Sequence, residues 1–496
     1  MKRALSLTLL LAGCTVGPDY KPPQTPMPAQ YQAPAQTTAP LSQPIAESAD
    51  LSNWWKAFHD GELESLINRA LTQNPDLLTA ASRVREARQQ EIVAGAAGRP
   101  QVNALADAAH IHSGSSIMQK LGGGGSNGSG GSGGSGSTDL SLYAAGFDAT
   151  WELDIFGQVR RSVEAAAAGT EAARWQMRDG EVTLTAEIAA DYVTLRQDQA
   201  RLAILDNRQK SQQQILDLVT ARARAGFVTE LDVNQQRQLL AATQAEGPSL
   251  RAGILAMRHA IAVLLGQQPG ALDGELEATA PLPPIPPKLP VGLPSDLLRA
   301  RPDIRMAERK LAQASASIGV AVADLYPKFN LLGALNFSSN QVGNLFSGDN
   351  LNEIGLGFMT WPAFHGGQIH ANIRAKEEEE RQAYYAYQKA VLAAVQNAED
   401  ALVRYQTEQQ RFVVLQDAQR RAAQSTHLAL QQYRVGLTNY TSVLQTQSTQ
   451  LDAEDKLAQS QAALSANLVS VYKALGGGWK DEGDNASRAQ ATLFQQ

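Results

Sequence analysis

The 496-residue sequence predicts an α+β membrane protein with an internal duplication, built from short pairs of β-strands and long antiparallel α-helical hairpins. Three observations carry this prediction. Landmark residues recur in the same order in the two halves of the chain. Four segments alternate apolar and polar residues, and the stretches 157–226 and 367–436 contain no proline.

Two constant spacings relate the two halves. Pro75 and Pro100 recur 227 residues later, as Pro302 and Pro327 (302 − 75 = 327 − 100 = 227). Later landmarks recur after 210 residues, in the pairs Trp151 and Trp361, Gly157 and Gly367, Gly226 and Gly436, and Gly266 and Gly476. The spacing falls by 17 (227 − 210), which is the length of the Gly/Ser tract at residues 122–138. The first repeat, residues 61–280, is therefore the second repeat, 281–478, plus one flexible loop, either natural or an introduced linker.

The alternating segments predict four β-strands, at residues 101–112, 140–154, 328–337 and 351–361. Each has one apolar face and roughly ten residues, the length of a tilted strand that crosses a bilayer. Two soluble hairpins on a small domain are the alternative. Four strands are too few to close a barrel, and open edges in lipid would leave backbone groups unsatisfied. The sequence therefore predicts an oligomer, of two chains with eight strands or three chains with twelve.

The proline-free stretches predict two helical hairpins, at residues 157–266 and 367–475. In the first, Ile188, Tyr192 and Leu195 form part of an apolar stripe at heptad spacing. Glycine at 226 and 436 suits the end of a helix and a turn. An arm of about 65 residues would span roughly 100 Å, too long for the core of one compact domain. Hairpins from several chains, packed side by side, would line a tube.

The N-terminus has the pattern of a lipoprotein precursor. Residues 1–13 carry two basic residues and then an apolar stretch, as a secretory signal peptide does. They end at Leu11-Ala12-Gly13-Cys14, which resembles the lipobox whose cysteine is acylated; an ordinary signal peptide with a chance cysteine is the alternative. A covalent lipid on Cys14 is the one prosthetic group expected. Residues 14–60 are predicted to form an extended strap, and 479–496 a polar tail.

The string CTVGPDYKPP at residues 14–23 resembles the mature N-terminus of the lipoprotein (NodT) branch of the TolC-like outer-membrane efflux factors. Together with the duplication, strands and hairpins, the resemblance covers nearly the whole chain. It implies a homotrimer, with a 12-stranded barrel in the outer membrane over a 12-helix periplasmic tube. Such a trimer is the passive exit duct for small molecules such as drugs. Its partners are a periplasmic adaptor (membrane fusion) protein and an inner-membrane pump of the resistance-nodulation-division class.

The resemblance also assigns roles to the two hairpin tips, where adaptors dock. The matching positions here are Arg224, Gly226, Leu231, Asp232, Val233, Arg434, Gly436, Tyr440 and Val443. Family members usually carry acidic residues at the second tip, where this chain has Thr438 and Gln445, so a strongly acidic gate is in doubt. The residues expected at a periplasmic constriction are Glu230, Asp232, Gln445, Asp452 and Asp455. Ordinary capped turns are the alternative for both tips.

Other function classes find no support in the sequence. The net charge of −6 argues against nucleic-acid binding. The pairs His110 and His112, and His365 and His370, lack the spacing of metal ligands, and no catalytic motif occurs, so neither an enzyme nor a metal site is expected. A duct for type I protein secretion and a periplasmic coiled-coil lipoprotein remain as alternatives. The lipobox argues against the first, and the four amphipathic strands argue against the second.

Overall fold

The computed structural model describes residues 15–32, 41, 43–45, 50–113 and 138–480. The expected signal peptide, Cys14, the Gly/Ser tract up to residue 137 and the tail beyond residue 480 lie outside the described residues. Among the described residues, no helix combines the length and the apolar content that crossing a membrane requires.

The elements follow one another in the order that the duplication predicts. The helices are α1 Gly61–Gln73, α2 Pro75–Ala96, α3 Gln158–Arg224, α4 Glu230–Leu264, α5 Leu297–Ala300, α6 Pro302–Ala323, α7 Gln368–Arg434 and α8 Tyr440–Ala474. The strands are β1 Gln43–Ile45, β2 Gln101–Ser113, β3 Thr138–Leu153, β4 Lys288–Pro290, β5 Lys328–Ser339 and β6 Leu351–Thr360. The four long strands begin and end within two residues of the bounds expected from the sequence.

The two repeats are alike in length and in detail. Helices α2 and α6 have 22 residues each, α3 and α7 have 67 each, and α4 and α8 have 35 each. Asn74 Nδ2 donates to the carbonyl oxygen of Leu264 at 2.8 Å, and Arg301 Nη1 donates to that of Ala474 at the same distance. These partners are related by the spacings found in the sequence (74 + 227 = 301 and 264 + 210 = 474). The duplication therefore extends to individual hydrogen bonds.

Contacts between residues divide the chain into two compact units that do not coincide with the repeats. The first contains Glu86–Thr170 and Lys310–Ala383, with the N-terminal residues as far as Pro22. The second contains Pro23–Arg85, Glu171–Arg309 and the chain from Tyr384 onward. Each repeat runs from helix into strands and back into helix, so each contributes residues to both units.

The first unit holds one antiparallel sheet with the strand order β2-β3-β5-β6. Strand β3 of the first repeat pairs with β5 of the second, with Phe147 opposite Leu335. Both of these side chains are about half exposed, at 57% and 46%. Strands β2 and β6 form the two edges, and their outward backbone groups have no neighbouring strand among the described residues. A single chain thus leaves apolar side chains and two strand edges uncovered.

The second unit holds the main apolar core. The predicted helical stripe lies in it, since Ile188, Tyr192 and Leu195 are at most 1% exposed. Trp54 stacks on Tyr472 with the ring centroids 5.1 Å apart. This core packing corrects two boundaries. The three aromatic side chains of the 3-10 helix Trp54–Phe58, expected in the strap, are buried here. Trp479, expected in the tail, donates from Nε1 to the carbonyl oxygen of Ala300 at 2.9 Å.

Between residues 15 and 32 the strap forms neither helix nor strand, and several contacts fix it to the protein. In the second unit Met27 and Tyr31 pack against the core. The backbone nitrogen of Gln32 donates to a carboxylate oxygen of Glu399 at 2.8 Å. Further along, β1 pairs in parallel with β4, with Pro44 opposite Leu289. The strap therefore packs against the folded protein, through Met27 and Tyr31, in addition to connecting it to the N-terminus.

Candidate functional site

Each hairpin turns at a glycine in the left-handed conformation. Gly226 has φ = 80° and Gly436 has φ = 81°. At the first turn the backbone nitrogen of Phe227 donates to the carbonyl oxygen of Arg222 at 2.9 Å, and the second turn repeats this bond from Leu437. This is the Schellman arrangement, which satisfies the last carbonyl groups of a helix. No atom lies within 4 Å of a Cβ built on either glycine, so the backbone conformation, and not space, requires glycine.

The returning helices begin with different caps. In the first tip the Asp232 carboxylate accepts hydrogen bonds from the Thr229 backbone nitrogen and hydroxyl, both at 3.0 Å. In the second tip Asn439 Oδ1 accepts from the Ser442 backbone nitrogen at 3.1 Å. Both arrangements satisfy groups at a helix N-terminus. The carboxylate of Asp232, expected at the constriction, is therefore engaged locally as a capping group.

A small apolar cluster joins the two hairpins behind the turns. We call it the tip cluster, and its buried members are Ile215, Val219, Val233, Ala429, Tyr433, Tyr440 and Val443. Three of the predicted docking residues belong to it: Val233, Tyr440 and Val443 are at most 3% exposed. Their side chains are buried in this cluster, so their contribution to docking would be to hold the tips in shape.

Polar contacts between the hairpins surround the tip cluster. The guanidinium carbon of Arg222 lies 4.5 Å from the ring centroid of Tyr433. The Tyr440 hydroxyl donates to Oε1 of Gln236, whose Nε2 donates to the Gln212 carbonyl oxygen at 2.9 Å. Burial raises the pKa of Tyr433, so its hydroxyl stays neutral. Arg222, Gln236 and Tyr433 were not predicted from the sequence, although two tyrosines seven residues apart around the second turn were a usable signal.

The outer surface of both tips is apolar and exposed. Phe227 and Leu231 of the first tip are 74% and 65% exposed, and Val435 and Leu437 of the second are 70% and 78% exposed. Two of the expected docking residues, Arg224 and Arg434, are also exposed here. Large apolar side chains at the end of a hairpin lose contact with water when another protein covers them, which favours association. Of these four apolar residues, Leu231 was among the docking residues predicted from the sequence.

Two of the four acidic residues expected at the constriction are paired with cations, whereas Glu230 is exposed. Asp455 lies 2.9 Å from Nη2 of Arg201, and Asp452 lies 2.6 Å from Nζ of Lys456. Gln445 is exposed, and ten residues separate it from Asp455, which corresponds to roughly 15 Å along a helix. Gln445 and Asp455 therefore lie at different heights along α8.

The histidines in the described part of the chain form no metal-binding cluster. Nδ1 of His110 lies 3.0 Å from the Ser141 hydroxyl oxygen. Among the described residues, no three His, Cys, Asp or Glu side chains lie close enough to hold a metal ion.

Comparison with known proteins identifies the family. Residues 66–267 and 293–477 match the model of the outer membrane efflux protein family, and these ranges cover most of the chain. The chain belongs to the outer membrane efflux protein family. It is an outer-membrane efflux channel and not an enzyme, and the resemblance inferred from the sequence is confirmed.

Relatives of this channel match it over almost its full length. Nodulation protein T of Rhizobium leguminosarum bv. viciae is 32% identical over 470 residues, which cover 95% of this chain and 90% of the relative. The pyoverdine export outer membrane protein OpmQ of Pseudomonas putida is 32% identical, with 96% and 97% covered. The solved structure of the outer-membrane channel OprN is 34% identical, has a TM-score of 0.84, and covers 94% of this chain and 100% of its own. The predicted α+β channel fold is confirmed by these likenesses.

Proposed function

We propose that this efflux channel is the passive exit duct of a tripartite pump. In this proposal three chains form one duct, Cys14 carries a lipid, and the hairpin tips receive small molecules from a periplasmic adaptor and an inner-membrane resistance-nodulation-division pump. The observation that carries the proposal is the incomplete sheet, whose two edge strands and apolar side chains have no cover within one chain.

The incomplete sheet supports assembly of several chains. Edge strand β2 of one chain can pair with edge strand β6 of the next. Such a head-to-tail contact repeats from chain to chain until the ring closes. Three copies of the four-stranded sheet supply twelve strands and remove every edge. Helix α2 has no buried residue in the single chain, and its Ile92 and Val93 are 60% and 72% exposed. A neighbouring chain would cover these side chains too.

The tips support docking of an adaptor. Their exposed apolar residues, flanked by Arg224 and Arg434, form a surface at the end of each hairpin, and the buried tip cluster holds that surface in shape. We propose that adaptor helices cover Phe227, Leu231, Val435 and Leu437. The relative named for pyoverdine export supports small molecules, and not proteins, as the cargo.

Site-directed cross-linking in cells that express the adaptor and the pump tests this function. Phe227→Cys and Leu437→Cys should cross-link to the adaptor. Glu378→Cys is the matched control, since this exposed residue of α7 lies roughly 80 Å from Arg434 along the helix and should not cross-link. Native mass spectrometry should give three chains per particle, and cells without the channel should accumulate a fluorescent pump substrate. Cross-links that form equally from all three positions, or particles of another size, would contradict the proposal.

A further inference from the structure

The first residues of the strap lie in a built site in the first compact unit. The backbone nitrogen of Val16 donates to the carbonyl oxygen of Phe156 at 3.1 Å. Phe156 and Gly157 form the junction between strand β3 and helix α3. The segment Thr15–Asp19 therefore adds to the folded protein at the end of the sheet from which α3 begins. We call this site the strap seat.

One buried arginine binds three groups of this segment. Nε of Arg161 donates to the Val16 carbonyl oxygen at 3.1 Å, and Nη2 donates to the Gly17 carbonyl oxygen at 3.4 Å and to Asp19 Oδ1 at 2.7 Å. Nη1 donates to Glu164 at 2.7 Å. The side chain of Arg161 is 4% exposed, whereas that of Asp19 is 86% exposed. A buried guanidinium needs acceptors for its protons, and here the strap supplies most of them.

Three glycines shape the strap seat around the backbone of the strap. A Cβ on Gly17, which has φ = 90°, would lie 2.5 Å from Cα of Gly319. A Cβ on Gly157 would lie 2.8 Å from a side-chain carbon of Thr15, and one on Gly319 would lie 2.8 Å from Cδ of Arg161. These close approaches leave no space for a side chain at any of the three positions.

The strap seat lies at the end of the sheet that carries exposed aromatic side chains. Trp151 lies near the end of β3, Trp361 follows β6, and Tyr326 precedes β5; they are 37%, 59% and 36% exposed. The pairing of β3 with β5 and of β5 with β6 brings these three positions to the same end. Tryptophan and tyrosine favour the interface between lipid and water.

We infer that the strap seat sets the point at which the lipid anchor meets the folded channel. Cys14 directly precedes the seated Thr15, so its acyl chains enter the bilayer at the level of Trp151, Tyr326 and Trp361, in the leaflet next to the helices. Arg161 is the positioning residue of this arrangement. The inference rests on the proposed lipidation of Cys14 for its lipid, whereas the peptide contacts stand without it.

Hydrogen exchange of the full-length channel, measured by mass spectrometry in detergent, tests the seat. In Arg161→Ala the Val16 amide should exchange at least about tenfold faster, equivalent to about 1.4 kcal/mol. In Arg161→Lys its exchange rate should lie between those of the unmodified channel and Arg161→Ala. Gly17→Ala should have the same effect, because its Cβ would meet the backbone of Gly319. Arg309→Ala and Gly343→Ala are the matched controls and should leave Val16 protected. If Arg161→Ala fails to fold, Gly17→Ala and Asp19→Ala, which change the strap alone, decide the outcome.

Unchanged protection of Val16 in these variants would overturn the seat. The variant Cys14→Ser tests the strap seat independently of lipidation. Its Val16 amide should stay protected whether or not intact-mass analysis detects a lipid on the chain. The bilayer level is tested in vesicles of lipid brominated near the headgroup. The bromine should quench part of the tryptophan fluorescence, and the double variant Trp151→Phe and Trp361→Phe should lose that quenched part. If the bromine quenches the double variant as strongly as the unmodified channel, the proposed position of Trp151 and Trp361 in the bilayer is wrong.

Discussion

Arg222 at the end of one long helix binds Tyr433 at the end of the other: its Nη1 donates to the Tyr433 carbonyl oxygen at 2.6 Å while its guanidinium covers the tyrosine ring. The contact joins the two hairpins of one chain directly behind their turns. It combines a charge-assisted hydrogen bond with a cation–π interaction, each of which contributes about 0.5–3 kcal/mol.

Arg222→Ala should loosen the tips without affecting assembly. We expect the amides of Phe227 and Leu437 to exchange faster, by an amount equivalent to roughly 1–2 kcal/mol, because the hairpins lose a polar contact next to the tip cluster. Arg224→Ala, two residues away on the same helix and exposed, is the control and should have no such effect. Equal exchange rates in the two variants would mean that the tip cluster alone holds the hairpins together.

Gly226→Val and Gly436→Val should give stable assemblies that no longer support efflux. A β-branched residue at φ near 80° is strained by about 1 kcal/mol or more, and the strain stays local because no neighbouring atom crowds the position. Gly226→Asn and Gly436→Asn are the controls, since asparagine tolerates the left-handed conformation. Cross-linking from Phe227→Cys to the adaptor should fall with resistance. Full resistance in both valine variants would place the docking site elsewhere.

Cys14→Ser should abolish acylation. Intact-mass analysis of the membrane-extracted protein should then show an unlipidated chain, where the unmodified sequence gives a mature chain beginning at lipidated Cys14. Export should persist, because in the proposed duct the sheet is a second means of membrane attachment. A mature N-terminus at another residue in the unmodified protein would contradict the lipoprotein assignment.

Asp191 should make the helical region less stable at neutral pH. Burial, followed by the charge of Glu187, raises the pKa of Asp191 from 3.8 to about 6. The folded chain therefore holds a proton more tightly than the unfolded chain, and the associated stability is lost as the pH rises through about 6. Asp191→Asn should raise the apparent Tm near pH 7.5 and change it little near pH 4. Asp206→Asn, an exposed residue of the same helix, is the control. A Tm shift of equal size at both pH values would exclude this titration as the cause.

Deletion of residues 122–137 should leave assembly and export intact. The second repeat forms the equivalent connection without such a tract. Thr138 must be kept, because it pairs with Ser113 at the beginning of β3. Comparable particle mass and substrate efflux from the shortened chain would support this expectation. Misfolding of the shortened chain would reveal contacts of the tract that the repeat comparison does not anticipate.

The sequence predicted those features that repeat along the chain. Periodic apolar residues and paired glycines located the strands and hairpins, because a strand or helix with one apolar face has apolar residues at a fixed spacing in the sequence. The contacts between distant segments could not be predicted in this way. Arg161 and Asp19 are 142 residues apart, and Arg222 and Tyr433 are 211 apart, so no local pattern links them. Likewise, the pairing of Asp455 with Arg201 depends on which helices become neighbours.

The twin hairpins give every chain two versions of one module. Their turns share a glycine geometry, yet one presents Phe227 behind a Thr229 cap and the other presents Leu437 behind an Asn439 cap. Duplication within a single gene lets each copy diverge while the other preserves the shape. A ring of such chains would present two docking sites per subunit, and the two kinds of site would alternate around the ring. A partner that occupies every docking site would have to bind both kinds. A more selective partner would bind only one kind and would therefore occupy every second site.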